Sequence, residues 1–297
     1  MPLKISAFPK CWLETISNGE MSVFEWIEMA KSLDADGLEM YHGFLTSFDN
    51  PYLDRVASAI HDAGFAMPML CASPDFTAPD ADKRKREIDH QVEMIRVTRR
   101  LGGPGAVCRL LTGQRYAAIS WEQGLPWVLE AFHALLPVAC ENGVILGLEN
   151  HYKDGFWQYP EFAQKMDRFV AVVEAVEDRE NFGVQYDPSN AVIAGDDPVE
   201  LLRRVADRVV SMHASDRYLT PGTTLDDLRQ SDGTIGYSAN LKHGVTGQGM
   251  NDYDAIFSTL AGVNYQGWVS IEDGMNGMDE MAESLAFLRR MSDRYFA

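Results

Sequence analysis

Eight short apolar runs punctuate this chain of 297 residues at intervals that leave room for a helix between each pair: KISAFP (4–9), GLEMY (37–41), FAMPMLCA (65–72), AVCRLL (106–111), VILGLEN (144–150), FGVQYD (182–187), VVSMHAS (209–215) and GWVSIED (267–273). Each has strand length, and several are apolar without clean alternation, as expected of parallel strands buried on both faces. Between them lie stretches of helical period: SVFEWIEMAKSL after Ser22, WEQGLPWVLEAFHALLPVACENG, and PEFAQKMDRFVAVVEAVED with Pro160 placed for a first turn. Strand and helix alternating eight times predict an α/β protein built as a (β/α)8 TIM barrel, a fold of usually about 250 residues. The excess falls in loops at 42–51, 73–80 and above all 216–250. A doubly wound open sheet would carry a glycine-rich turn after its first strand, and SAFPKCWLE contains no glycine. No internal repeat or linker interrupts the series, so residues 1–297 read as one domain with a long insertion at 216–250.

Composition narrows the partners. A formal charge of −18, from 26 basic against 44 acidic residues, opposes a nucleic-acid surface and leaves a small polar substrate easier to accept. The basic run KRKRE at 83–87 reads as the solvated start of a long helix. Cys11, Cys71, Cys108 and Cys140 are far apart and form no CxxC pair, which fits free thiols in a reducing cytoplasm. MPLKISAFPK is not a charged leader followed by an apolar core, and no stretch approaches the ~18 to 20 apolar residues of a membrane span. The expectation is a cytoplasmic protein with no membrane partner.

Four of the predicted strands end on a metal-ligand residue: Glu149, Asp187, His213 and Glu272 follow strands five to eight. In a barrel the active site forms at the carboxyl ends of the strands, so four neighbouring strands would aim these side chains at one point. Three carboxylates and one imidazole suit a divalent cation: manganese first, with cobalt, magnesium or zinc as alternatives. Each residue alone has a plainer reading: Asp187 in DPS fits a helix cap, and His213 a core histidine. His151 lies two residues beyond Glu149, on the same side of an extended segment, and is a candidate base. Arg109, inside an apolar strand, needs a partner such as a pocket carboxylate. Trp12, Glu14, Glu39, Tyr41 and His42 approach the same face, and Lys153 and Asp154 follow in the fifth loop. His243, between Lys242 and Gly244, either closes over the site or decorates the 216–250 loop.

The order Glu, Asp, His, Glu in the local texts GLEN, YDPSN, HASDR and GQGMNDYDAIFSTLAGVNYQGWVSIE resembles the xylose-isomerase-like superfamily of sugar isomerases and epimerases, which includes ketose 3-epimerases. That resemblance implies a barrel whose manganese or cobalt is held by Glu149, Asp187, His213 and Glu272. It also implies that Glu149 and Glu272 move the proton and that Arg217 contacts the substrate. A metal chelating a carbonyl and its neighbouring hydroxyl stabilises the enediolate left when a carbon-bound proton departs. Two glutamates on opposite faces can remove that proton and return it.

The chain departs from the epimerase pattern at Asn190, which stands where a histidine follows the metal aspartate and can bond a substrate oxygen without carrying a proton. His151 and the 216–250 insertion are further departures. With these features the chain is similar to the subunits that cleave 3-keto-glycosides, C-glycoside deglycosidases among them. There the same chemistry ends in elimination, and Tyr152, Phe156, Trp157 and Tyr159 would stack on an aglycone. A metal-dependent isomerase or epimerase is thus the first expectation, a lyase of 3-keto-glycosides the alternative, and a non-catalytic metal-bearing sugar-binding barrel the third. A three-zinc DNA-repair endonuclease needs more than the seven histidines present. The expected partner is a free sugar or glycoside, since no glycine-rich phosphate cradle is visible. A homo-oligomer or a partner subunit is left open.

Overall fold

In the computed structural model, residues 1–155, 157–224, 227, 240–272 and 274–297 are described. Nine strands form one parallel sheet: β1 (Lys4–Ala7), β2 (Gly37–Leu38), β3 (Met40–Tyr41), β4 (Met69–Cys71), β5 (Val107–Leu110), β6 (Ile145–Glu149), β7 (Phe182–Tyr186), β8 (Val209–Ala214) and β11 (Trp268–Ile271). Their spatial order is β2-β1-β11-β8-β7-β6-β5-β4-β3. The two ends of that series are consecutive in the chain. The run 37–41, read above as one strand, is broken at Glu39 into a half that pairs with β1 and a half that pairs with β4, so the chain itself closes the ring.

Closure demands a glycine. A Cβ on Gly37 would lie 2.8 Å from the carbonyl oxygen of Ala66 and 2.9 Å from the Trp268 ring, closer than packed atoms approach. Val107, Leu146, Val184, Met212 and Val269 are buried, as parallel strands covered on both faces require.

Helices cover the barrel where the sequence signals place them. Ser22 and Glu25 form a reciprocal capping box ahead of the helix Val23–Ala30, and Ser120 and Gln123 do the same for Trp121–Asn142, which Gly143 ends in the left-handed conformation. Phe132 on that helix is fully buried against Phe76 and Phe182, a contribution of about 1.5–3 kcal/mol.

Two expectations need correction. The helix foreseen from Pro160 begins six residues later, at Met166–Ala175. Glu161 turns its carboxylate inward onto Thr112 and Gly113, and that tertiary bond outweighs the helical start. The 216–250 insertion is not all loop: β9 (Asp216–Leu219) and β10 (Leu241–Gly244) pair antiparallel, with Arg217 opposite His243. The rest of that insertion lies partly outside the described residues, as do Phe156 and Asp273. No helix among the described residues is long and apolar enough to cross a membrane.

Candidate metal centre and active site

The barrel delivers four candidate ligand residues from four neighbouring strands. Glu149 is the last residue of β6, Asp187 follows β7, His213 is the penultimate residue of β8, and Glu272 follows β11. One ligand atom from each lies within 4.8 Å of the others, and all four residues are buried.

Two atoms of this set are orphans. Nδ1 of His213 and Oδ2 of Asp187 are buried without a hydrogen-bond partner. Such groups cost free energy unless something else satisfies them. Nδ1 lies 3.3 Å from Oε1 of Glu149 and 3.8 Å from Oε2 of Glu272. Carboxylate oxygens and an imidazole nitrogen converging on one buried point fit a divalent cation, which would draw on Glu149, Asp187, His213 and Glu272.

Neighbouring groups orient each ligand. Nε2 of His213 lies 2.7 Å from Oε2 of Glu39, the residue at the break in the second barrel strand. Glu39, Cys71 and His213 also cluster tightly enough to suggest a cation, but this short contact makes Glu39 a hydrogen-bond partner that fixes the ring with Nδ1 toward the ligand set. Oδ1 of Asp187 accepts from Ser215 Oγ at 2.7 Å and from the backbone N–H groups of Ser189 and Asn190, so Asp187 caps the helix Pro188–Ala194 and still has Oδ2 to give. Arg109 donates to Oε2 of Glu149 at 2.8 Å, to the carbonyl of Ala72 and to Ser73. Asn190 Nδ2 lies 3.3 Å from Oε1 of Glu149 and supports that ligand. Lys10 Nζ donates to Oε1 of Glu272 at 2.8 Å.

The electrostatics follow from this crowding. Burial pushes the Asp187 carboxyl up to about 7, with the charges of Glu272 and Glu149 adding to it. Burial acts the same way on Glu149 and Glu272 but is outweighed: Arg109 holds Glu149 low, and Lys10 and His213 hold Glu272 low. Burial would lower His213, yet Glu39 and Glu272 raise it well above its ordinary value. His151 is pushed down, chiefly by burial.

A cavity of about 180 Å³ opens beside Glu272, which walls it with Lys10, Glu14, Arg109, His151 and Asp154 together with Phe8, Tyr41 and Tyr152. His151 and Arg109 thus reach the space that a substrate would fill. Trp12 is partly buried against the core, while Lys10, Leu13 and Glu14 face the cavity. Arg217 is buried in β9 opposite His243, and its charge acts on Lys10 and Tyr152 of the cavity wall. Lys10 and Glu161 are site-related residues that sequence reasoning passed over. Lys10 ends the KISAFPK run at the carboxyl end of the first strand, and that position alone was its signal. Glu161 follows Pro160 in the stretch read as a helix; its Oε1 accepts from Thr112 and Gly113, and Oε2 lies 4.0 Å from Nδ1 of His151.

The sequence model of the family described as xylose isomerase-like TIM barrel matches residues 27–291. The chain belongs to that family. The inosose dehydratase of Geobacillus kaustophilus (strain HTA426) is 28% identical to this xylose isomerase-like barrel over 164 residues, 54% of this chain and 48% of that protein. The chain spans about half the length of the curated relatives it matches. Among solved structures, a D-tagatose 3-epimerase-like protein superposes with a TM-score of 0.75 at 14% identity, over 99% of this chain and 98% of that one. The IOLI protein with a bound zinc atom superposes with a TM-score of 0.73 at 18% identity, over 99% of this chain and 100% of that one. At these identities the structural likeness carries the fold.

Proposed function

We propose that this chain is a divalent-metal-dependent enzyme that takes a proton from the carbon next to the carbonyl of a sugar-like ketone and completes the reaction by eliminating a group from the adjoining carbon. The observation that carries this reading is an asymmetry between the two glutamates. Glu272 opens on the cavity, whereas the Glu149 side chain is fully buried behind Arg109. Epimerisation asks for a base on each face of the substrate; here the second group on the cavity wall is His151.

A divalent cation held by Glu149, Asp187, His213 and Glu272 would supply the positive charge that acidifies a C–H bond next to a carbonyl. Burial keeps the His151 ring neutral, so it can accept the carbon-bound proton. With Nδ1 turned toward Glu161, Nε2 is the nitrogen left for that task. As the bond to the leaving oxygen breaks, that oxygen takes a proton from the imidazolium or from Lys10, whose ammonium Glu272 holds beside the cavity. Arg109 keeps Glu149 ionised as a ligand. Manganese is the cation we assign, because three of the four donors are carboxylates. The dehydratase name of the curated relatives supports elimination.

Epimerisation is the second reading. It is favoured by the placement of one oxygen each of Glu149 and Glu272 within 4 Å of His213 Nδ1, the pair that a two-base proton transfer would use. Product analysis separates the two. Manganese-loaded protein is incubated with inosose, free ketoses, 3-keto-glucose and 3-keto-glycosides. Elimination yields an unsaturated ketone and a freed water or alcohol; a diastereomer of the starting ketose would replace our reading with epimerisation. No product with any of them would leave sugar binding as the function of the barrel.

A further inference from the structure

The cavity beside the ligands does not end at its own wall. A second one, of about 450 Å³, shares Tyr41 and Asp154 with it. A row of hydrogen bonds marks the boundary: Arg109, on the first cavity, donates to Ser73 Oγ at 2.8 Å, and Ser73, on the second, donates to Asp154 Oδ2 at 2.7 Å. The outer chamber is therefore anchored through Arg109 to the metal ligand Glu149.

Its walls differ in kind from those of the inner cavity. Tyr41, His42, His90 and Trp157 give it ring faces and edges, and Ser73, Glu87 and Asp154 give it acceptors. His42 packs edge-on against both Tyr41 and His90, and burial holds it neutral, its pKa pushed down to about 4. Among the described residues no lysine or arginine lines this chamber, whereas Lys10, Arg109 and Lys153 line the inner one. Neutral aromatic walls with carboxylate acceptors suit an uncharged, hydroxyl-bearing ring and disfavour an anionic substituent. Trp157 also meets His151 edge-on at 6.5 Å, so one side chain borders the ring in the outer chamber and the candidate base of the inner cavity.

We propose that the outer chamber is a second subsite, which holds a hydroxylated ring linked to the sugar-like ring seated beside the metal ligands. This rests on the reading of the inner cavity as a sugar site, and it narrows the substrate class from a monosaccharide to a two-ring glycoside. The second ring has two sources, a phenolic aglycone or another sugar.

Isothermal titration calorimetry on manganese-loaded protein tests it with three probes: methyl β-D-glucopyranoside, 4-hydroxyphenyl β-D-glucopyranoside and cellobiose. We expect at least one two-ring probe to bind about tenfold more tightly than the methyl glycoside, and the better of the two identifies the source. The preference should fall toward unity in His90→Ala and in Trp157→Ala, two variants chosen so that a folding failure of one leaves the other. Equal affinities for all three probes, no binding of any, or a preference untouched in both variants would overturn the proposal. If the preference holds while the keto-sugar panel gives no product, the subsite stands and the elimination reading falls.

Discussion

The carboxylate of Glu39 lies 2.7 Å from Nε2 of His213, reaching a candidate ligand on the seventh barrel strand from the break in the second. Because Nε2 is committed to Glu39, the Nδ1 atom is the one that faces Glu149 and Glu272. Partners of this kind fix a ligand's tautomer and are worth about 10–100-fold in metal affinity. Glu39→Gln should therefore weaken manganese binding by about that factor while the fold is kept. Calorimetric titration of the variant checks this, and an unchanged dissociation constant would remove Glu39 from the metal centre.

Metal uptake should depend on pH in a defined direction. The Asp187 carboxyl, raised to about 7 by burial and by Glu272 and Glu149, must lose its proton before Oδ2 can bind a cation. Below pH 7 the apparent affinity should drop by about tenfold per unit for each proton displaced, and binding at pH 6 should release protons to the buffer. The sign for stability is the reverse. A folded pKa above the unfolded value of about 3.9 makes the metal-free protein lose stability as pH rises from about 4 to 7. Titrations in two buffers of different ionisation enthalpy measure the released protons.

His151 lines the cavity without contributing to the ligand set. His151→Ala should lower turnover by about 10²–10⁴-fold, the usual contribution of a positioned acid or base, with manganese affinity within a few-fold of the parent. Turnover that survives the substitution would return the proton transfer to Glu149 and Glu272 and favour the epimerase reading.

Burial lifts Glu161 to about 8, against an unfolded value of about 4.3. The folded chain thus holds a proton that the unfolded chain has released, and stability from this residue is lost as pH climbs from about 4 through 8. Glu161→Gln keeps a carbonyl oxygen for Thr112 and Gly113 and cannot ionise. Between pH 6 and 8.5 the melting temperature of the parent should fall relative to that of the variant; parallel curves would show that Glu161 is ionised throughout.

Much of this arrangement was legible in the sequence because the barrel repeats one local pattern. Apolar runs without alternation marked β6 to β8, and the residues at their ends, Glu149, Asp187 and His213, converge because parallel strands in register bring their ends to one face. Contacts between segments distant in the chain were not legible. Glu39 sits in a run that reads as an unbroken strand, and only ring closure splits it. Pro160 and Glu161 carry the local signature of a helix start, overridden by bonds to Thr112 and Gly113 some fifty residues earlier. Asn190, expected to meet a substrate oxygen, also places Nδ2 3.3 Å from Oε1 of Glu149, a contact that depends on how Asp187 caps the following helix. The pairing of Arg217 with His243 joins the two ends of a long insertion and has no local signal.

The most direct test of the account is proton exchange followed by NMR in heavy water, with 3-keto-glucose and 3-keto-glycosides as substrates for manganese-loaded, metal-stripped and Glu272→Gln protein. The account predicts deuterium entry next to the carbonyl, or loss of that carbon's proton with release of the adjoining group, in the manganese-loaded parent alone. Exchange at the same rate in the metal-stripped protein would contradict it.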